Sequence, residues 1–92
     1  DGGTESLRAR IFDLSGKELG SVAVAYKSDF SSGARAEQDP ADWWANFVKA
    51  SCGAIADAGI NPSEIDAICY ATTCCSVVAL DQDGQAHAGA VQ

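Results

Sequence analysis

The residues best equipped for chemistry include the first four, Asp1-Gly2-Gly3-Thr4. Two adjacent glycines let a turn approach a ligand closely, and the N–H groups such a turn exposes form a nest for an anion. The Asp1 carboxylate is a hard oxygen ligand suited to Mg²⁺, and the Thr4 hydroxyl can reach a phosphate oxygen. The pattern is not a Walker loop, which ends in Gly-Lys-Ser or Gly-Lys-Thr, and Asp-Gly-Gly is also an ordinary turn. A second candidate is Thr72-Thr73-Cys74-Cys75, at the end of an apolar run. Ligand sites of α/β proteins gather at strand ends. Threonine hydroxyls both donate and accept there, while a thiol is a weak donor. Thr73, Cys74 and Cys75 are therefore candidate ligand contacts, unless the two thiols only fill a tight crossing of the chain.

The remaining reactive side chains point to less. The four cysteines at 52, 69, 74 and 75 contain no Cys-x-x-Cys pair, and the single His87 stands far from most of them. That is no zinc signature. Cys52 and Cys69 read as small apolar side chains. Neighbouring Cys74 and Cys75 would make a strained disulfide and lack redox spacing. His87 lies among Ala and Gly with no partner for acid-base work. Arg8 and Arg10 alternate along a strand beside the glycine turn, where Arg8 can lean toward an anion and Arg10 reads as a solvated or ion-paired residue.

These groups need elements to hold them. Leu7, Ala9 and Ile11 alternate with Arg8, Arg10 and Phe12, which predicts a half-buried strand from about Leu7 to Leu14. A turn at Ser15-Gly16-Lys17 leads to a second strand from Leu19 to Tyr26. The polar stretch Ser28 to Gln38 reads as a surface loop. Asp39 caps a helix, Pro40 opens it, and Asp42 complements its dipole. Trp44, Phe47, Val48, Ser51, Ile55 and Ala58 supply its apolar stripe, and Gly59 ends it. Of Trp43 and Trp44 only one can face fully inward, and the pair reads as a core anchor. Asn61-Pro62-Ser63-Glu64 repeats the capping logic over one short turn. Ile65 to Thr72, apolar almost throughout, is expected as a third strand covered on both faces. Ser76 to Leu80 is expected as a fourth, and Asp81-Gln82-Asp83-Gly84 as a turn.

The chain has 92 residues, enough for one small domain, and a net charge of −7 from six basic and thirteen acidic side chains. Its 47% apolar content fits a folded core and not a disordered acidic tail. No cluster of Lys or Arg is available to displace phosphate counterions, which argues against nucleic-acid binding. No apolar run approaches the roughly 20 residues that cross a bilayer, and no targeting leader is visible. One helix can cover one face of a small sheet only. The other face stays open, so the chain reads as a fragment, and by itself it is expected to be poorly stable or to associate as a homo-oligomer.

Taken in order, these motifs resemble a known family. Asp1-Gly2-Gly3-Thr4-Glu5-Ser6-Leu7-Arg8-Ala9, then Phe12-Asp13 and the Gly16 turn, is similar to the opening phosphate motif of the FGGY carbohydrate kinases. Glu37-Gln38-Asp39-Pro40 and Asp42-Trp43-Trp44 look like that family's acidic helix entrance. The stretch from Ile65 to Asp81 looks like its strand, sugar-site turn, strand and Asp-x-Asp-Gly hairpin. The resemblance covers essentially the whole chain.

It implies an α/β fold, part of a ribonuclease-H-like (actin-like ATPase) domain in β-β-α-β-β order, with residues 1–92 as its N-terminal fragment. It implies a cytoplasmic kinase that uses ATP and Mg²⁺ to phosphorylate a sugar. Asp1 would help bind Mg²⁺, Gly3, Thr4 and Arg8 would face the ATP phosphates, and Thr73, Cys74 and Cys75 would contact the sugar. The family's general base and most of its nucleotide site lie further along the chain, so the remainder of the kinase is the expected partner and the fragment alone is expected to be inactive. Ala71 stands where many pentulose-type relatives carry Asp, and Cys74-Cys75 replaces the Arg-Glu of the glycerol-type branch. Glycerol is thereby disfavoured and a ketopentose such as ribulose preferred. The alternatives are a noncatalytic binding or oligomerisation module on the same half-domain and, ranked last, a thiol-redox protein using Cys74 and Cys75.

Overall fold

A computed structural model describes residues 1–27, 37–87 and 90–91. Of the loop expected from Ser28 to Gln38, residues 28–36 lie outside the described residues, as do 88, 89 and 92, and its end, Glu37–Gln38, is a short strand instead. Strands β1 (Ser6–Phe12) and β2 (Glu18–Ala25) form an antiparallel hairpin running from Ser6↔Ala25 to Ile11↔Gly20. The register shifts at Phe12, which pairs with Glu18. The alternation predicted from sequence holds: Leu7 is buried and Ala9 and Ile11 half-buried on one face, while Arg8, Arg10 and Phe12 face water.

The two hairpin-type turns share one construction. The Asp13 carboxylate accepts from the Ser15 hydroxyl at 2.6 Å, the Ser15 N–H at 2.9 Å and the Lys17 N–H at 3.0 Å. Asp81 accepts in the same way from the Asp83 N–H at 2.8 Å and the Gln85 N–H at 2.9 Å. Gly16 and Gly84 occupy the equivalent positions with φ of +87° and +77°, the left-handed region where a Cβ is costly.

A two-residue strand, β3 (Glu37–Gln38), pairs with β4 (Ala90–Val91). Helix α1 (Pro40–Ala58) follows directly, with ends as the sequence predicts. Asp39 accepts from the Ala41 N–H, Pro40 sits in the first turn, and Gly59 closes the helix at φ +68°. The Asn61–Glu64 capping box forms around a short 3₁₀ turn, Pro62–Glu64.

The packed face of α1 differs from the expected stripe. Trp44 is 68% exposed and stacks on Phe47 with ring centroids 5.5 Å apart, while Ala50 and Ala54 are fully buried. Gly53, Ala54 and Ala58 meet the hairpin at Gly20 and Val22. Close approach is the reason. A Cβ on Gly20 would lie 2.6 Å from the Ala58 nitrogen and 2.7 Å from the Ala54 carbonyl oxygen, and one on Gly53 would lie 3.0 Å from a Val22 methyl. Backbone packs on backbone here, which selects the small-residue face over the bulky one. The Ser21 N–H adds a 3.0 Å bond to the Asp57 carboxylate.

The β-β-α part of the expected order is present, but the last two strands are not formed as expected. Residues 65–71 carry no ladder, and the segment joins the fold through a parallel bridge between Thr72 and Gly2. Residues 76–80 end in a bridge from Leu80 to Ala86. The predicted cover of the third strand is also absent: Ile68 and Tyr70 are 67% and 76% exposed, and Val77 and Leu80 are exposed too. An apolar strand needs neighbours on both edges and layers on both faces. The described residues offer it one backbone partner, at its end.

Candidate functional site

The N-terminal residues fold back on β1. The Asp1 amino group donates to the Arg8 carbonyl at 2.7 Å, the Arg8 N–H returns a 2.8 Å bond to the Asp1 carbonyl, and Gly3 N–H closes the turn on the Ser6 carbonyl at 2.9 Å. Gly2 thereby lies between Leu7 on one side and Thr72 on the other. Its N–H donates to the Ala71 carbonyl at 2.7 Å, and its carbonyl accepts from the Thr73 N–H at 2.9 Å and the Thr73 hydroxyl at 3.2 Å. A Cβ on Gly2 would meet the Thr72 methyl at 3.4 Å and one on Gly3 the Ser6 carbonyl at 3.2 Å.

This corrects the expectation of an anion nest made by glycine amides. The Gly2 and Gly3 N–H groups are both committed to carbonyls. Gly3 is the crowded one of the two, against the Ser6 carbonyl, while the space at Gly2 is that of an ordinary contact with the Thr72 methyl. With both N–H groups committed, side chains are the groups an anion would meet at this end. The Thr4 hydroxyl lies 3.5 Å from that of Thr73. The Arg8 guanidinium pairs with the Asp1 carboxylate at 3.4 Å, both half-exposed. Asp1, Thr4, Arg8 and Thr73 thus share one end of the hairpin, and a half-exposed carboxylate is a hard oxygen ligand of the kind that suits Mg²⁺.

Beneath the two turns lies a cleft of about 310 Å³, lined by Gly2, Gly3, Leu7, Tyr26, Gln38, Trp43, Thr72, Thr73 and Ser76. Gly3 and Thr73, both anticipated from sequence, line it. Cys74 and Cys75 are exposed on the turn beyond, and Cys75 takes a left-handed backbone with φ +68°.

Gln38 was not foreseen as part of this site. It is only 5% exposed, donates to the Thr4 carbonyl at 2.7 Å and accepts from the Trp43 indole N–H at 2.8 Å. It thus clamps the glycine turn to the start of α1. Its position just before the cap was the available signal. Tyr26 closes the far side, and partial burial pushes its phenol up from the ordinary value of 10.0.

Residues 1–91 match the sequence model of the FGGY family of carbohydrate kinases, N-terminal domain. The chain belongs to the FGGY family. It is 41% identical over 68 residues, 74% of its length, to a glycerol kinase of Thermoanaerobacter pseudethanolicus. It is 34% identical over the same length to glycerol kinase 2 of Thermotoga maritima. The crystal structure of xylulose kinase from Rhodospirillum rubrum superposes with a TM-score of 0.86 over 98% of the chain at 25% identity. The chain spans 14% of the length of those glycerol kinases and 18% of the xylulose kinase. As an FGGY N-terminal segment it carries an α/β hairpin-and-helix unit, and among the described residues no helix is long and apolar enough to cross a membrane.

Proposed function

We propose that this chain is the N-terminal part of an ATP-dependent carbohydrate kinase that phosphorylates a hydroxyl of a ketopentose or related polyol. The observation that carries the reading is the junction at Gly2, where the glycine turn and the threonine turn bond to each other through its carbonyl. A phosphate donor and a hydroxyl acceptor must meet within bonding reach, and phosphoryl transfer is mainly a matter of such positioning. Thr4 and Arg8 orient the terminal phosphate from one side of the junction. Thr73, with Cys74 beside it, orients the sugar from the other. Asp1 would hold Mg²⁺, which when bound neutralises charge on the phosphate oxygens. Gln38 and Trp43 hold the glycine turn in place.

The relatives named above include both glycerol kinases and a xylulose kinase. Cys74-Cys75 favours the ketopentose, because two thiols replace the ion-forming Arg-Glu pair of the glycerol-type turn. The open surface of Ile68, Tyr70, Val77 and Leu80 is where the remainder of a kinase chain would lie.

The test is ADP release by the full-length protein with ribulose, xylulose and glycerol as acceptors. The expected result is turnover with a ketopentose at a kcat/KM well above that for glycerol, and none from residues 1–92 alone. Absence of acceptor-dependent ADP release across the panel would refute the kinase reading, and a preference for glycerol would refute the substrate assignment alone.

A further inference from the structure

The paired thiols have a setting that sugar binding does not explain. Cys74 and Cys75 are both exposed. Cys75 is the single non-glycine residue with positive φ among the described residues, at +68°. Such a conformation costs an L residue energy and persists only where its surroundings impose it. Two residues earlier, Thr73 is fixed to the Gly2 carbonyl through both its N–H and its hydroxyl. The dithiol therefore stands in open solvent directly after an anchored residue. Among the described residues no group of three or more His, Cys, Asp or Glu side chains is placed to hold a metal ion. The pair offers two sulfur donors and no third.

We propose that Cys74 and Cys75 form a chelating site for monosubstituted trivalent arsenicals, a ligand class that needs two sulfurs and no more. Such an arsenic carries one carbon substituent and one oxo oxygen. Two As–S bonds form, both bonds of the As=O group break, and the two thiol protons leave with the oxygen as one water. Arsenic stays trivalent, so no oxidant or reductant is required. The bridging arsenic adds one member to the ring that a direct disulfide would close, which eases the strain of joining neighbouring cysteines. Once the first As–S bond forms, the second thiol is already tethered beside the arsenic, and its effective concentration makes the second bond favourable. Cys52, on α1, and Cys69, whose sulfur contacts the Tyr70 carbonyl at 4.0 Å, have no adjacent cysteine and cannot chelate in this way. The inference stands on the thiols and holds whatever sugar the enzyme takes.

The test uses full-length protein and phenylarsine oxide, read by intact mass and by cleavage before Asp66 and Asp81. That cut isolates residues 66–80 from Cys52, whereas no Lys or Arg follows Lys49 to separate the four cysteines. The expected result is one phenylarsenic adduct on 66–80 with two thiols lost, retained in Cys69→Ser. Ethanedithiol should release it, and 2-mercaptoethanol at equal thiol concentration should not. Cys74→Ser and Cys75→Gly should each weaken binding by roughly tenfold or more, since only one tether remains. Glycine adopts the left-handed backbone freely, so loss in Cys75→Gly reports the thiol and not a collapsed turn. An adduct that persists in both variants, that monothiol removes as readily, or that never forms on 66–80 would overturn the proposal.

Discussion

The hydroxyl oxygens of Thr4 and Thr73 lie 3.5 Å apart although sixty-nine positions separate them in the chain. The contact is the product of the Gly2 junction, since Thr73 bonds to the Gly2 carbonyl and Thr4 follows Gly2 by two residues. It places one hydroxyl on each side of the proposed phosphoryl-transfer path.

Those two sides should separate kinetically. Thr73→Val in the full-length protein removes a hydroxyl from the acceptor side while keeping the side-chain shape. The KM for sugar is expected to rise about tenfold, the value of one lost hydrogen bond of about 1.4 kcal/mol, with the KM for ATP little changed. Asp1→Ala should instead lower kcat at saturating sugar, because the carboxylate is assigned to the cation whose charge matters most as the phosphate transfers. Steady-state kinetics with each substrate varied in turn would show the split. An unchanged kcat in Asp1→Ala would make Asp1 a turn residue.

Gln38 joins the glycine turn to the helix, so its loss should affect both. Gln38→Leu leaves the Thr4 carbonyl and the Trp43 indole N–H without these bonds in a partly buried place. A cost of about 1–3 kcal/mol is expected, seen as a lower urea midpoint. Trp43→Phe, which removes the indole donor but keeps most of the ring, should cost less. Equal stability of wild type and Gln38→Leu would show that the clamp is not needed.

The contact of hairpin and helix gives a sharper contrast. Gly20→Ala would drive a methyl into the Ala54 and Ala58 backbone at 2.6–2.7 Å, and main chain cannot rotate away. Overpacking of this kind costs about 1–3 kcal/mol. At Gly53 the added methyl meets a Val22 side chain at 3.0 Å, which can shift. There the helix propensity gained over glycine, about 1 kcal/mol, offsets the crowding. Denaturation of the two variants side by side should show a large loss for Gly20→Ala and little change for Gly53→Ala.

The Asp13 turn predicts a pH effect. Its carboxyl is held below the usual 3.8, first by the Ser15 hydroxyl, then by the Lys17 N–H. A group more acidic in the folded state adds stability above its unfolded pKa, and that stability is lost as pH falls through the folded pKa. Titration of Asp13 by NMR should give a midpoint below 3.8, and Asp13→Asn should flatten the stability profile in the acid window below it. A midpoint at or above 3.8 would show that the turn bonds do not favour the ionised form.

What could be read from residue order alone were the features decided within a few positions. The Asp39-Pro40 start and Gly59 stop of α1, the Asn61–Glu64 box, the alternation of β1 and β2 and the glycine turns all rest on bonds between near neighbours. The ordered motifs from Asp1 to Asp81 likewise pointed to the family that the comparisons support. Tertiary structure decided what needed distant partners. Helical spacing put Trp44 on the apolar stripe, but close approach to Gly20 turned the alanine face inward. Apolar content suggested a covered strand at 65–72, but a strand exists only where another offers a free edge, and here Gly2 meets just its end. Adjacent glycines suggested free amides, yet Ala71 and Ser6 accept both. Gln38 entered the site, and Thr4 met Thr73, because folding brought separate turns onto one strand. Caps and turns are local equilibria of the backbone, whereas burial, pairing and the meeting of side chains depend on what the rest of the chain places beside them.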